Sequence, residues 1–224
     1  KVVYGDREID FTPPWRRLCV LDALREAGVD ADKLDAEAIG RELDRRGFER
    51  PRPFSWGHGV AELFERLVEP EIVQPTFICD HPVEISPLTK HKRGDPRLVE
   101  RFEPLVCGME IGNAYSELTD PVEQRKRFEE QRRLGADREG VEHHPIDEDF
   151  LEAMGCGMPP TGGVGLGIDR LVMLLTNSHS IRDVIAFPMM RSVACSGEGG
   201  DEEDEDGAVG ETNGAERASE DADA

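Results

Sequence analysis

The chain has 224 residues, a net charge of −21 and 33% charged residues. It contains no run of 18 apolar residues and no signal-peptide pattern, which argues against a membrane-spanning or secreted protein. Its five cysteines are scattered without CxxC spacing, so neither a disulfide framework nor a zinc site is indicated. We therefore expect free thiols in a cytoplasmic protein.

Short helices are predicted in the first third of the chain. Apolar periodicity indicates helices over Leu18–Gly28, Asp35–Gly47 and Ala61–Val68, and the first two end at glycine, as helices commonly do. Together they are expected to form a small helical insertion at about residues 18–69. A buried strand is predicted over Glu71–Cys79.

The segment RFEPLVCGMEIGNAYSELTD, residues 101–120, is rich in carboxylates and otherwise typical of strands. Two apolar-rich runs, Arg101–Val106 and Met109–Tyr115, are separated by Cys107 and Gly108. A two-residue connection with glycine in second place suits a tight hairpin turn. We therefore predict a β-hairpin.

The expected hairpin register places two acids on one face of the sheet. If Val106 is paired with Met109, the alternation of side chains puts Glu103 and Glu110 on the same face as a diagonal pair. Like charges at that range repel, and carboxylate oxygens suit a magnesium ion that also carries phosphates. The alternative is that both are solvated acids on the open face of an antiparallel sheet.

Three further side chains join this face only if the second strand is irregular. Regular alternation would direct Asn113, Tyr115 and Glu117 to the opposite face. We predict a β-bulge at Gly112 that turns these three side chains to the face that carries the acid pair. Asn113 and Glu117 would then offer an anionic, hydrogen-bonding pocket for an ammonium group, with Tyr115 as a wall.

Two helices are predicted after the hairpin. Asp120 followed by proline and, at the third position, glutamate is a start signal for a helix that runs to about Leu134. The many charges of this helix are interpreted as a solvated face rather than a nucleic-acid-binding patch. A short helix is predicted over Asp147–Met154. The adjacent His143 and His144 lack metal-ligand spacing and are interpreted as polar loop residues.

A glycine-rich strand leads into an apolar helix near the end of the chain, in GGVGLGIDRLVMLLTN. Gly163, Gly165 and Gly167 alternate, which suits a strand lying against a flat ligand or another backbone. Arg170 lies in the first turn of the helix, where it can contact a phosphate. The pattern is neither a Rossmann nor a P-loop motif, and a tight strand-to-helix junction would also explain it.

The last segment, residues 192–224, is strongly acidic and contributes −11 of the net charge. It holds almost no large apolar residue, so we predict a disordered tail. One interpretation of such a tail is an autoinhibitory or partner-binding role. A solubilising extension in a generally acidic protein is the favoured interpretation.

These motifs carry a resemblance to a known family. GGVGLGIDRLVMLL resembles motif 3 of the class II aminoacyl-tRNA synthetases, and EIGNAYSELTDP resembles the segment that marks their lysine-specific members. The similarity extends through QPTFICDHPVEISPL and SHSIRDVIAFP and covers residues 1–191. In the first of these segments, His81, Glu84 and Ser86 are expected to help shape the pocket.

The resemblance implies roles at the phosphate end of the site. Glu103 and Glu110 would bind magnesium ions that bridge the ATP phosphates. Arg170 would be the motif 3 arginine that contacts the γ-phosphate and would serve catalysis.

The resemblance also implies a lysine pocket and an adenosine surface. Asn113 and Glu117 would hold lysine, with Glu117 paired to the side-chain ammonium group and Tyr115 beside them. Gly165 and Gly167 would let the adenosine lie close to the strand.

The implied fold is α+β, with a mixed, largely antiparallel sheet flanked by helices. The implied reaction is ATP-dependent formation of lysyl-adenylate and transfer of lysine to the 3′ end of tRNA-Lys, by an enzyme that is a homodimer at full length. Motifs 1 and 2 and the anticodon-binding domain are not found, so residues 1–191 are expected to be the C-terminal part of the catalytic domain. Activity of this part alone is therefore in doubt. Two alternatives are a paralogue that lysylates a protein such as an elongation factor, and a catalytically incomplete remnant.

Overall fold

A computed structural model describes residues 1–135 and 145–189 of the chain. The strands are β1 (Val2–Tyr4), β2 (Arg7–Ile9), β3 (Arg16–Cys19), β4 (Thr76–Cys79), β5 (His91–Lys92), β6 (Asp95–Val99), β7 (Arg101–Val106), β8 (Met109–Glu110), β9 (Gly112–Ser116) and β10 (Gly162–Leu166). The α-helices are α1 (Val20–Glu26), α2 (Ala36–Arg45), α3 (Trp56–Leu67), α4 (Pro121–Gly135), α5 (Glu148–Gly155) and α6 (Ile168–Thr176).

The main sheet has six strands in the order β10-β9-β7-β4-β3, with β8 paired to β7. Strands β3 and β4 run parallel, and every other pair in this sheet is antiparallel. The predicted α+β fold with a mixed, largely antiparallel sheet is confirmed. Two small hairpins, β1-β2 and β5-β6, lie outside this sheet.

The predicted hairpin and its bulge are both present. Val106 pairs with Met109 across a turn in which Cys107 and Gly108 have φ angles of 50° and 67°. Farther from the turn, β7 pairs with β9 in a register shifted by one residue, since Phe102 lies opposite Ala114. The extra residue enters the second strand between β8 and β9, as predicted, and turns the side chains of β9 to the other face.

The predicted starts of α1 and β4 are wrong. Leu18 and Cys19 belong to β3, so α1 begins only at Val20. Of the predicted strand Glu71–Cys79, only Thr76–Cys79 forms β4, because Glu71 ends a 3-10 turn. Apolar periodicity does not separate a short strand from the helix that directly follows it.

Helix α3 begins five residues before the predicted start at Ala61. Ser55 is its N-cap, and its side-chain oxygen accepts a hydrogen bond from the His58 amide. Gly57 and Gly59 lower the helix propensity of this first turn. Packing explains the glycine at position 59, because a Cβ atom there would lie 2.4 Å from Cγ2 of the α2 residue Ile39.

The apolar core has two parts. The larger part lies between helices α1 to α3 and the sheet and includes Leu24, Leu43, Leu63, Ile78 and Leu105. The smaller part lies around Ile9, Val106, Ile111 and Leu174, where the β1-β2 hairpin meets α6. The helical segment therefore shares its core with the sheet rather than forming a separate one.

The remaining helices agree with the sequence prediction. The Asp120 carboxylate accepts hydrogen bonds from the amides of the first turn of α4, and Asp147 caps α5 in the same way. Four cysteines are free thiols: Cys19, Cys79, Cys107 and Cys156. The fifth cysteine, the His143-His144 pair and the acidic segment 192–224 lie outside the described residues.

In residues 1–135 and 145–189, no helix combines the length and the apolar character that crossing a bilayer requires.

Gly112, the glycine at the bulge, lies close to the backbone of the neighbouring strand. A Cβ atom at Gly112 would lie 2.8 Å from the backbone oxygen of Gly165 on the neighbouring strand. We expect Gly112→Ala to destabilise the chain by about 1–3 kcal/mol, because backbone must move to admit the methyl group. Urea unfolding measures this, with Gly155→Ala as the control, since a Cβ there meets nothing within 4 Å. Equal midpoints for the two variants would contradict the prediction.

Candidate functional site

A cavity of about 730 Å³ lies against the sheet face formed by β7 and β8. Glu103, Glu110 and Arg170 line it together with residues of α3. The prediction that the two acids share a face is confirmed, and Arg170 reaches the same cavity from the first turn of α6. The structure thus brings together the three residues assigned to the phosphate end of the site.

Glu103 is the more buried of the two acids. Burial raises its pKa to about 7, and the charge of Glu110 acts in the same direction, while Arg101 opposes it. Its Oε2 lies 3.7 Å from Nε2 of His81. Burial lowers the pKa of His81 to about 3, so the imidazole is neutral and this contact is not an ion pair.

Glu110 lies beside a cation and a further acid. Arg170 Nη1 donates a hydrogen bond to the Glu110 backbone oxygen at 2.6 Å and lies 3.8 Å from its carboxylate. Burial, together with the charges of Glu65 and Glu110, raises the pKa of Glu69. Four glutamates and three arginines line the cavity, and among these Arg170 is half-exposed and accessible to a ligand.

The donor set of this cavity fits magnesium held jointly with phosphate. Magnesium in nucleotide sites usually binds one or two carboxylates, substrate phosphates and water. Across residues 1–135 and 145–189, no group of three or more His, Cys, Asp or Glu side chains could hold a metal ion alone. Glu103 and Glu110 would supply two oxygen ligands, and phosphates would have to supply others. Burial raises the pKa of Glu103, and a divalent cation beside this carboxylate would favour its ionised form.

The bulge places Asn113 against Glu103. Asn113 Nδ2 donates a hydrogen bond to Glu103 Oε1 at 3.2 Å. Tyr115 lies opposite Arg101 in the β7-β9 register and therefore shares this face. The two β9 residues that were predicted to bind lysine, Asn113 and Tyr115, are thus turned to the side of the sheet that carries the acid pair.

Glu117 follows β9 and lies over a glycine of the neighbouring strand. Its backbone amide donates to the Thr161 oxygen at 2.9 Å, and a Cβ atom at Gly163 would lie 2.5 Å from its Oε1. Burial raises the pKa of this carboxyl group. Within the described part of the chain, no Lys, Arg or His side chain forms an ion pair with Glu117, so its carboxylate is available to a cationic ligand.

The glycines assigned to adenosine lie along the same strand and its end. Gly165 is opposite Asn113, and the nearest atom to an added Cβ would be the Asn113 oxygen at 3.8 Å. Gly167 precedes α6, and its amide donates to the Ile111 oxygen at 3.0 Å. Both positions leave space in which a flat ligand can approach the backbone.

Sequence reasoning missed Arg101 and misplaced Glu84. Arg101 contacts both Glu103 and Asn113, and its position two residues before Glu103 on one strand was the available signal. Glu84 accepts a hydrogen bond from the Gly57 amide at 3.1 Å, so it binds the start of α3 rather than the cavity. Ser86, by contrast, accepts a hydrogen bond from Arg101.

Comparison with known proteins places these residues in context. A family model described as tRNA synthetases class II (D, K and N) matches residues 1–191. A lysine–tRNA ligase of Dehalococcoides mccartyi is 53% identical over 199 residues, which are 88% of this chain and 40% of that protein. Lysine–tRNA ligases of Clostridium perfringens and Oceanobacillus iheyensis are 50% and 51% identical over 85% of this chain and 39% of their own length. The chain spans about 40% of the length of these curated relatives.

Proposed function

Because this chain belongs to the class II tRNA synthetase family whose members serve aspartate, lysine and asparagine, we propose that it forms the lysine- and ATP-binding part of a lysine–tRNA ligase. The enzyme would activate lysine with ATP to lysyl-adenylate and transfer lysine to the 3′ end of tRNA-Lys. Residues 1–191 would be the C-terminal part of its catalytic domain, with the helical segment of about residues 18–69 as an insertion.

One observation carries the choice of lysine as substrate. Glu117 is a partly buried carboxylate that lies over Gly163 and forms no ion pair with another described residue. A partly buried carboxylate without a cation is costly, whereas one that binds an ammonium group gains a charge-assisted hydrogen bond. Asn113 and Tyr115 lie on the same face and would complete a pocket for a long cationic side chain.

The phosphate end would support in-line attack of the lysine carboxylate on the α-phosphate of ATP. The α-phosphate bond to the leaving pyrophosphate breaks as the new bond forms, so no side-chain nucleophile is needed. Glu103 and Glu110 would hold magnesium, which would neutralise charge on the phosphates. Arg170 would bind the γ-phosphate and stabilise the leaving group, and the open backbone at Gly165 and Gly167 would accept adenosine.

Partners and location follow from the same proposal. We propose lysine, ATP and tRNA-Lys as substrates, a homodimer as the state of the full-length enzyme and the cytoplasm as its location. The negative charge of the chain would not assist tRNA binding. Contacts with tRNA are therefore proposed to depend mainly on other parts of the full-length enzyme.

Calorimetric titration of the chain with lysine, in magnesium and a non-hydrolysable ATP analogue, tests the proposed function. We expect binding of one lysine per chain and weaker binding of ornithine and arginine, whose cationic groups lie at other distances from the α-carbon. The ATP analogue should also bind without lysine. A chain that is folded by circular dichroism but does not prefer lysine would contradict the proposal.

Lysine binding should depend on pH through Glu117. Burial raises the pKa of Glu117 above its usual value of 4.5, and only the ionised carboxylate can pair with ammonium. We therefore expect lysine affinity to be retained above this raised pKa and lost as the pH falls through it. Titrations from pH 8 down to pH 4 measure the effect. Glu103 also titrates in this range, so the Glu117→Gln variant is the control, and an equal pH dependence in that variant would contradict the assignment.

A further inference from the structure

The Arg101 side chain lies between the lysine end and the phosphate end of the proposed site. It is 17% exposed, and each of its three nitrogens has an acceptor. Nε donates to Asn113 Oδ1 at 3.2 Å, Nη1 donates to Ser86 Oγ at 2.9 Å, and Nη2 donates to Glu103 Oε1. The Arg101 guanidinium group therefore binds one residue of the lysine end, Asn113, and one residue of the phosphate end, Glu103.

These hydrogen bonds determine the orientation of the Asn113 amide. A guanidinium group has donors and no acceptor, so Asn113 must turn its oxygen towards Arg101. Its nitrogen then points the other way, and it donates to Glu103 Oε1 at 3.2 Å. One N–H of the amide and one lone pair of its oxygen remain for a ligand. The side chains of Arg101, Asn113 and Glu103 thus form a closed ring of three hydrogen bonds. Reversing the Asn113 amide would break its hydrogen bonds to Arg101 and to Glu103.

The far side of Arg101 is anchored as well. Ser86 is buried, and it belongs to a turn whose backbone oxygens are bound by helix α4. Arg127 Nη1 donates to the oxygens of Thr89 at 2.5 Å and Ser86 at 3.3 Å, and Gln124 Nε2 donates to the Pro87 oxygen at 3.1 Å. This anchoring limits the positions that Arg101 can adopt.

We infer that Arg101 is a positioning residue that fixes the orientation of the Asn113 amide and thereby sets which atoms meet the lysine substrate. Arg101 acts through Asn113 and Glu103 rather than by contact with the reacting atoms. The identity of the ligand rests on the proposed function, whereas the orientation of the amide does not. A purely structural role, in which Arg101 only compensates the charge of Glu103, would leave the Asn113 amide unaffected.

The side-chain amide signals of Asn113 in ¹⁵N NMR spectra of the full chain test the inference directly. Their absence in Asn113→Ala assigns them. In Arg101→Met, which keeps the length and removes every donor, we expect the signals to move to the positions of a free amide and their exchange with water to accelerate at least about tenfold. Arg97→Met is the matched control, because Arg97 also binds two acids, Asp32 and Asp95, but at a different place. Unchanged Asn113 signals in Arg101→Met would overturn the inference.

Arg101→Lys decides the question if Arg101→Met does not fold. Lysine keeps the charge beside Glu103 but lacks the planar fork that reaches Asn113 and Ser86 together. We expect disordered Asn113 amide signals in this variant too, and ordered signals would overturn the inference.

A double-mutant cycle connects the orientation to lysine binding. We expect Arg101→Met to weaken lysine binding about tenfold or more and to add little in the Asn113→Ala background, while the affinity for the ATP analogue changes less. Additive losses would overturn the inference that Arg101 acts through Asn113. If the wild-type chain binds no lysine but its Asn113 amide depends on Arg101, the proposed function fails and the positioning role stands.

Discussion

Replacing Glu117 by glutamine is expected to weaken lysine binding by at least about 30-fold, because removing one charge of a desolvated pair costs about 2–5 kcal/mol. Glutamine keeps the size and one oxygen of the side chain, so the lost charge dominates the effect. Within residues 1–135 and 145–189 the Glu117 carboxylate has no cation of its own, so the ligand would have to supply it. Calorimetric titration with lysine measures the change.

Two comparisons isolate this charge. Glu129→Gln removes an acid from the exposed face of α4 and is expected to leave lysine affinity unchanged. Norleucine, which has a straight side chain without the ammonium group, is expected to bind the wild-type chain and Glu117→Gln about equally. A 30-fold loss that norleucine shares would mean that the substitution damages the pocket generally rather than removing an ion pair.

Adding one methyl group at Gly163 is expected to weaken lysine binding about 10-fold to 100-fold without unfolding the chain. A Cβ atom there would lie 2.5 Å from Glu117 Oε1. The obstructed atom is the end of a flexible side chain, so the carboxylate can move away at little cost in stability. Its displacement removes the acceptor from its place over the strand. Lysine titration and urea unfolding of Gly163→Ala measure the two effects separately.

Gly162→Ala is the matched control. Gly162 is the preceding residue of β10 and faces the other side of the sheet, where a Cβ atom would lie 3.7 Å from the Tyr115 oxygen. We expect its lysine affinity and its stability to remain close to those of the wild-type chain. Equal lysine affinities for the two alanine variants would show that the placement of Glu117 over Gly163 is not what the ligand requires.

The hairpin shows what local sequence can determine. Cys107 and Gly108 specify a two-residue turn, and the turn sets the register that places Glu103 and Glu110 on one face. The bulge at Gly112 was also predictable, since it is the way to unite the polar residues of β9 with the acid pair. These features depend on contacts between residues near one another in the chain.

Features that depend on distant segments were not predictable in the same way. The pairing of β9 with β10 brings Gly163 under Glu117, and no local pattern contains that contact. The early start of α3 was missed because Gly59 disfavours helix locally, while the packing with α2 that requires it is a long-range property. Ser86, which anchors the far side of Arg101, likewise comes from a segment outside the hairpin.

Binding of a non-hydrolysable lysyl-adenylate analogue is the most direct test that lysine and adenosine occupy one face of this sheet together. A linked ligand gains affinity over its parts only when both halves can bind at once. We predict that the analogue binds at least about 100-fold more tightly than lysine alone, and that Glu117→Gln weakens binding of the analogue about as much as it weakens binding of lysine. An analogue that binds no more tightly than lysine, to a chain shown to be folded, would contradict a shared site.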